Sequence, residues 1–349
     1  MAAPTPSPAA LYTRTAHAAA AQVIRRYSTS FSWACRTLPR QARQDVATIY
    51  AMVRVADEVV DGVAVAAGLD EAGVRAALDD YERACEAAMA SGFATDPVLH
   101  AFADVARRHG ITPELTRPFF ASMRADLGIR EHGAESLDAY IHGSAEVVGL
   151  MCLQVFLSLP GTRARTPGQR QELRAQASRL GAAFQKVNFL RDLAADHHEL
   201  GRTYLPGAAP GVLTEARKAE LVAEVRADLD AALPGIRVLD PGAGRAVALA
   251  HGLFAALADR IEATPAAELA HRRVRVPDRQ KARIAARVLA RGRREAADER
   301  PGHRSRPAHR GGGRRVRRTG HGGPVGPRRA PGDAAGARRR PGRPCRTLV

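Results

Sequence analysis

No stretch of useful length in this 349-residue chain alternates apolar and polar residues at the two-residue period of a strand, and no unit repeats at a fixed spacing. That sets aside sheets and repeat arrays and leaves the helical period to organise the chain. Pro39 opens the strongest run, over about 41–61, where Val46, Ile49, Val53, Val59 and Val60 fall at helical spacing until Gly62 stops it. A helix is expected over 15–27, broken by Ser28-Thr29-Ser30, and others over 70–91, 96–109, 113–127, 137–159, 168–197, 214–233, 243–263 and 277–291, with short breaks between them. Alanine is abundant and aromatics make up only 5%, a balance that favours helix, while 45% hydrophobic residues suffice for a continuous core. The expected fold class is all-α.

Charge is concentrated rather than spread. The net charge is +17, but residues 301–349 hold 14 Arg and a single acid, Asp333, so the remainder is close to neutral. This tail has no aromatic and almost no large aliphatic residue and is expected to be disordered. It reads either as a polybasic segment for anionic lipid or nucleic acid, or, as its Arg/Pro/Gly/Ala composition favours, as the product of a shifted frame through GC-rich coding sequence. The organisation expected is a flexible N-terminus over 1–14, a folded body over 15–291 and a tail over 292–349. No specific nucleic-acid partner is expected for a near-neutral body.

Cys35, Cys85, Cys152 and Cys345 have neither metal-ligand nor disulfide-framework spacing, which points to a reducing, cytoplasmic compartment. The N-terminus lacks the basic start and apolar run of a secretory signal. The most apolar segment, 145–159, is interrupted by Glu146 and Gln154 and ended by Pro160-Gly161. It reads as a buried core helix rather than a membrane span.

Two helical segments carry the chemistry. In the first, steps of four, three and four place Tyr50, Arg54, Asp57 and Asp61 on one face. Like charges at i,i+4 cost an isolated helix a few tenths of a kcal/mol, a cost that a hard cation between them would offset, since Mg²⁺ takes carboxylate oxygens and completes its shell with water or phosphate. Alone, the pair is more simply a solvated acidic face. The second segment repeats the pattern 131 residues after Asp61: Gln185, Asn188, Asp192 and Asp196 share a face, with Arg191 beside the acids as Arg54 is in the first. A guanidinium there is either a salt-bridge partner or a grip on phosphate oxygens. Two such helices facing each other would bridge a diphosphate through magnesium.

These residues resemble the squalene/phytoene synthase family over about 27–289, in several ordered blocks. Tyr27-Ser28-Thr29-Ser30-Phe31 resembles its N-terminal block. The segments Tyr50-x₃-Arg54-x₂-Asp57-x₃-Asp61 and Gln185-x₂-Asn188-x₂-Arg191-Asp192-x₃-Asp196 resemble its two aspartate-rich motifs, and Gly201-Arg202-Thr203-Tyr204-Leu205-Pro206 the loop after the second. Tyr140 to Gly149 resembles the small-residue helix lining its cavity, and Arg272-Arg273-Val274-Arg275-Val276-Pro277 its C-terminal basic stretch. The resemblance implies a single-domain, isoprenoid synthase-type helical bundle around a central cavity and Mg²⁺-dependent (or Mn²⁺-dependent) head-to-head joining of prenyl diphosphates. By the same resemblance Asp57, Asp61, Asn188, Asp192 and Asp196 hold the metal. Tyr27, Ser28, Ser30, Phe31, Tyr50, Arg54, Gln185, Asn188, Arg191, Arg202 and Tyr204 bind substrate, and Tyr140 stands near the reacting carbons or else meets solvent. The substrate most in keeping is geranylgeranyl diphosphate, giving phytoene in carotenoid biosynthesis. The alternative is farnesyl diphosphate, giving squalene, dehydrosqualene or hydroxysqualene. NADPH is not expected, since no dinucleotide fingerprint sits on a βαβ unit. Peripheral membrane contact follows from lipidic substrates.

Three departures from the family pattern stand out: Phe254 where a tyrosine is expected, Glu146 in place of a glycine, which calls for a partner if buried, and a body that ends near Arg291. A different class, a basic-tail nucleic-acid or membrane-surface protein with an inactive helical domain, also fits the composition. His197-His198 and the scattered His100, His109, His132 and His142 show no ligand spacing, and Trp33, Phe119 and Phe120 read as core.

Overall fold

The computed structural model describes residues 6–28, 34–164 and 166–298. Ser30, Phe31, Trp33, the side chain of His198, Cys345 and the tail lie outside the described residues or atoms. Ten long helices account for most of the body: α1 Pro8–Tyr27, α2 Arg40–Glu58, α3 Glu71–Ser91, α4 Pro97–His109, α5 Pro113–Gly128, α6 Ala134–Leu157, α7 Pro167–Leu200, α8 Glu215–Val238, α9 Pro241–Glu262 and α10 Asp278–Asp298. Among the described residues no strand forms. The one extended pairing is an isolated parallel bridge between Glu131 and Thr203.

Local chemistry sets the helix ends. Asp70, Asp96, Thr166, Thr214 and Asp240 each cap a first turn with a side-chain oxygen, and Thr166 with Gln169 forms a full capping box ahead of α7. Helix α1 starts at Pro8 rather than near 15, because Ser7 accepts from the Ala10 amide and Pro8 occupies the first turn. Helix α10 continues past Arg291 to Asp298, so the body does not end where the change in composition suggested. A short helix at Ala266–Leu269 had no signal in the sequence pattern.

Helix α6 runs unbroken through 134–157 with a π turn at His142–Glu146. It is long and apolar enough by length and composition to cross a membrane, and 67% of its most apolar window is buried inside the fold. Glu146 does find a partner: His142 Nδ1 lies 3.0 Å from its carboxylate across that π turn. Gly181 of α7 meets α6 backbone to backbone there. A Cβ at Gly181 would lie 2.9 Å from the Glu146 Cα, so α6 and α7 cross at a distance only glycine permits.

The core has two parts. One is built on α1, α2, α4, α5 and α6, with Phe102, Phe119, Phe120, Met52 and Met123 fully buried. The other gathers α7, α8 and α9 around Phe184, Phe189, Leu190 and Val225. Between them lies an apolar cavity walled by α2, α6, α7, α8 and α9.

Candidate active site

The acid motifs sit at one end of that cavity. Tyr50, one turn before Arg54 on α2, and Phe184, beside Gln185 on α7, both line it. Asp57, Asp192 and Asp196 are 2, 3 and 4% exposed, and Asp61 follows in a π turn at Val59–Val63 that ends α2. Gly62 there takes φ 115°, a conformation glycine alone adopts freely. π turns concentrate at functional sites. Three of the four aspartates are thus held inside, and the Asp61 side chain is 12% exposed.

Arginines answer the acids. Arg54 is buried, donates to Asp57 at 2.6 Å, also pairs with Glu58, and lies 4.6 Å over the Tyr27 ring. Arg191 and Arg273 both reach Asp192, at 2.5 and 2.6 Å. Burial, with Arg191 beside it, pushes the Arg273 guanidinium down from its ordinary range. Arg273 belongs to the basic stretch that precedes α10. Of its neighbours, Arg272 is spent on Glu268 at the surface and Arg275 is exposed. Ser28 is buried and Tyr27 half-exposed at the end of α1.

The loop after α7 supplies the third side. Gly201 caps α7 in the left-handed conformation, φ 62°. Thr203 then bonds back to the Arg130 carbonyl at 2.8 Å. This fastens Arg202 and Tyr204 beneath both motifs. The Arg202 Nη1 stands 3.4 Å from Asp126, 3.6 Å from Asp61 and 3.2 Å from the Tyr204 hydroxyl. Asp126, a residue without a sequence signal, is the centre of the group: the hydroxyls of Tyr140 and Tyr204 both donate to it at 2.8 Å. Burial pushes the Asp126 carboxyl up, opposed by Arg202 and the two hydroxyl donors. Tyr140 therefore meets neither solvent nor the cavity wall. Its ring packs against His132, Phe189 and Tyr204, and its proton goes to Asp126.

Some polar atoms are conspicuously unmatched. Gln185 is completely buried, yet neither its Oε1 nor its Nε2 has a partner. The Asn188 Oδ1 and Arg202 Nε are likewise buried without one. Orphaned buried groups cost about 1–3 kcal/mol each, and these belong to the second acid motif and the loop that follows it. For a hard divalent cation the donor set fits: every candidate ligand is an oxygen, and Asp57, Glu58, Asp61, Asp126, Asp192 and Asp196 outnumber the guanidiniums of Arg54, Arg191, Arg202 and Arg273. Among the described residues no three carboxylate, imidazole or thiol groups cage an ion by themselves. Mg²⁺ needs no such cage, since one or two carboxylates with water and substrate phosphate complete its octahedron.

The cavity beyond is nearly all apolar, with about 990 Å³ of unfilled space counting its mouth. Along α7 it extends from Phe184 to Leu173, roughly 16 Å at 1.5 Å per residue. Phe254 stacks at 3.9 Å on Phe184, a residue of the cavity wall. The histidines without ligand spacing have structural partners: His100 bonds Thr13, His109 bonds Asp45, and His132 stacks on Tyr204.

This is an all-helical fold with paired acids and arginines beside one end of an apolar cavity. The squalene/phytoene synthase family model matches residues 24–280, and the chain belongs to that family. Phytoene synthase of Mycobacterium tuberculosis is 29% identical over 189 residues, 53% of this chain and 55% of that protein. Phytoene synthase of Pseudescherichia vulneris is 28% identical over 265 residues, 70% and 82% of the two chains. The chain spans little more than half the length of most of the curated relatives it matches. Among solved structures, a dehydrosqualene synthase in complex with ligand has the same fold, with TM-score 0.64, 20% identity and 81% and 99% of the two chains covered. A squalene synthase from Alicyclobacillus acidocaldarius matches at TM-score 0.62 and 22% identity, over 73% and 97%.

Proposed function

We propose that this chain joins two prenyl diphosphates head to head, with geranylgeranyl diphosphate as substrate and phytoene as product. The observation that carries the reading is an apolar cavity that reaches Tyr50 and Phe184, the neighbours on two helices of buried acids, arginines and the orphaned Gln185 amide. The phytoene synthases among its relatives support the longer substrate.

In this reading Asp57, Asp61, Asn188, Asp192 and Asp196 hold Mg²⁺, which supplies Lewis-acid stabilisation of the departing diphosphate. Arg54, Arg191 and Arg202 neutralise its growing charge, with Arg273 beside them, and Gln185 turns its buried amide toward it. The carbon–oxygen bond breaks with its electron pair leaving on the diphosphate. The allylic cation is attacked by the double bond of the second prenyl diphosphate, which gives up a proton to the departed diphosphate as the cyclopropyl ring closes. The cyclopropyl diphosphate then ionises in turn, its own diphosphate leaving with the electron pair, and the rearranged cation loses a second proton to give phytoene. The apolar wall from Phe184 to Leu173 keeps water from these cations. Tyr204 and Tyr140 brace Arg202 and Asp126 below the site. The lipidic substrates and product call for peripheral membrane contact by a cytoplasmic protein.

The test is incubation with labelled geranylgeranyl and farnesyl diphosphates, with and without Mg²⁺, Mn²⁺ and NADPH. Formation of phytoene from geranylgeranyl diphosphate that stops on chelation is expected. A thirty-carbon product from farnesyl diphosphate alone would shift the substrate, and no product from either would end the reading.

A further inference from the structure

Helix α10 gathers basic charge that its surroundings leave unanswered. From Arg279 to Arg294 the sequence holds seven bases and no acid. Arg279, Arg283 and Arg287, four residues apart, form a row along one exposed face. No carboxylate among the described residues pairs with that row; an ion pair on this helix instead joins Lys281 to Asp278 at 3.2 Å. Several exposed arginines elsewhere do have acid partners, as Arg83 has Asp80, Arg117 has Glu86 and Arg272 has Glu268. Arg260 of α9 reaches the Gln280 side chain at 3.5 Å and adds charge of the same sign.

The inner side of α10 is already in use. Ile284 and Val288 are half-buried, and a Cβ at Gly252 of α9 would lie 2.9 Å from the Ile284 Cγ2. On the outer side the row is flanked by Ala282, Ala286 and Ala290 and by Leu289, which is 44% exposed. We infer that this outer face is where the protein meets an anionic phospholipid bilayer. Arg279, Arg283 and Arg287 take headgroup phosphates, and Leu289 and the arginine stems enter the headgroup layer. An exposed leucine among alanines suits a lipid interface, whereas a nucleic-acid backbone offers the row charge alone. Helix α10 packs on α9, whose Val247 and Ala250 wall the cavity, and begins shortly after Arg273, which reaches Asp192. Docking by this face sets the cavity beside the bilayer. The inference rests on the reading above for the lipidic cargo, and on the charge and exposure of α10 for the contact itself.

An environment-sensitive dye on the full chain reads the contact without turnover. It is attached at Leu289→Cys, with Cys345→Ser removing a competing thiol, and vesicles of phosphatidylcholine with and without phosphatidylglycerol are added. Emission should shift to the blue on the anionic vesicles, while the same dye at Arg83→Cys on α3 should not respond. No shift at position 289, or equal shifts at both positions, would overturn the proposal. Replacing Arg279, Arg283 and Arg287 together by Gln should abolish the shift and weaken vesicle binding about tenfold or more. Replacing the same three by Lys should keep both, which separates charge from helix packing. A shift that survives the three glutamines would remove the row from the contact. Binding of a duplex oligonucleotide in place of vesicles would give the surface to nucleic acid and end the lipid assignment. Product formation from detergent-dispersed prenyl diphosphates is measured beside this. A chain that makes product but never docks refutes the inference alone, and one that docks by α10 but makes no product refutes the reading of function alone.

Discussion

Among the described residues, two of the buried clusters of charge are built differently. Where α1, α2 and α4 meet, Asp45 accepts from both Arg108 nitrogens at 2.8 and 3.0 Å and from Gln41 at 3.0 Å, and bonds His109 at 2.9 Å. Beside it, His17 bridges Thr48 at 3.1 Å and Asp104 at 2.8 Å. Apart from the His109 Nδ1, this cluster satisfies itself. At the other cluster, around Gln185, Asn188 and Arg202, donors and acceptors stand buried and unmatched. A polar network that closes on itself holds helices together. One left open by the same fold, at the cost of desolvating each orphan, is shaped for something that arrives later. Charge content does not separate the two; completeness does.

The contrast predicts opposite outcomes for similar substitutions. Asp57→Asn should cut product formation more than about a thousandfold, roughly 4 kcal/mol of transition-state stabilisation, while stability falls less than in Asp45→Asn because Arg54 keeps its second partner, Glu58. Normal turnover by that variant in the presence of Mg²⁺ would remove the basis of the metal assignment. Asp45→Asn should do the reverse. It leaves the part-exposed Arg108 and the enclosed His109 side chain beside a neutral amide and should cost about 2 kcal/mol in urea unfolding, with turnover per folded molecule unchanged. If Asp45→Asn instead lost activity at native stability, the division between closed and open clusters would not hold.

Acid sharpens the same comparison. Burial alone would push the Asp45 carboxyl up, but the bonds to His109 and Arg108 outweigh it and hold it at about 2 against an ordinary 3.8. A carboxyl depressed by folding contributes its full stability above its unfolded value, so this contribution is intact above about pH 4 and is lost as pH falls through about 2. It amounts to about 2 kcal/mol. Urea unfolding measured across pH 5 to 2 should show that loss in the native chain and not in Asp45→Asn. Equal acid sensitivity in both would assign it to other carboxyls.

How far the sequence discloses each cluster follows from the same geometry. The open one is legible in part because its ligands lie on two helices at spacings of three and four, so the pattern of a single helix already places Asp57 with Asp61 and Asn188 with Asp192. Asp126 and Asp45 are not legible. Tyr204 reaches Asp126 across 78 residues and Arg108 reaches Asp45 across 63, so no local window contains both partners. The resemblance to a family recovered the fold, the Gly201–Pro206 loop and the basic stretch, but not that Arg273 alone of that stretch turns inward to Asp192. Helix interiors were readable from apolar period. The start of α1 at Pro8 was missed although Ser7 and Pro8 spell a cap, because few apolar residues precede position 15 to carry the period.

The smallest predicted effect is the most direct probe of incompleteness. Gln185 buries an amide whose two polar ends find no partner, and an unmatched amide is destabilising in the free protein. Methionine has nearly its shape without its hydrogen-bonding groups. Gln185→Met should therefore raise stability by about 1 kcal/mol, a sign few substitutions of buried polar residues show, and should lower turnover while doing so. Urea unfolding of the free protein gives the first quantity, and product formation under saturating prenyl diphosphate gives the second. Gln185→Met that loses stability would mean that the amide already has partners in the free protein, such as ordered water, and the open cluster would then be closed like the one around Asp45. A gain in stability with turnover unchanged would keep the vacancy but assign it to something other than the reacting diphosphate.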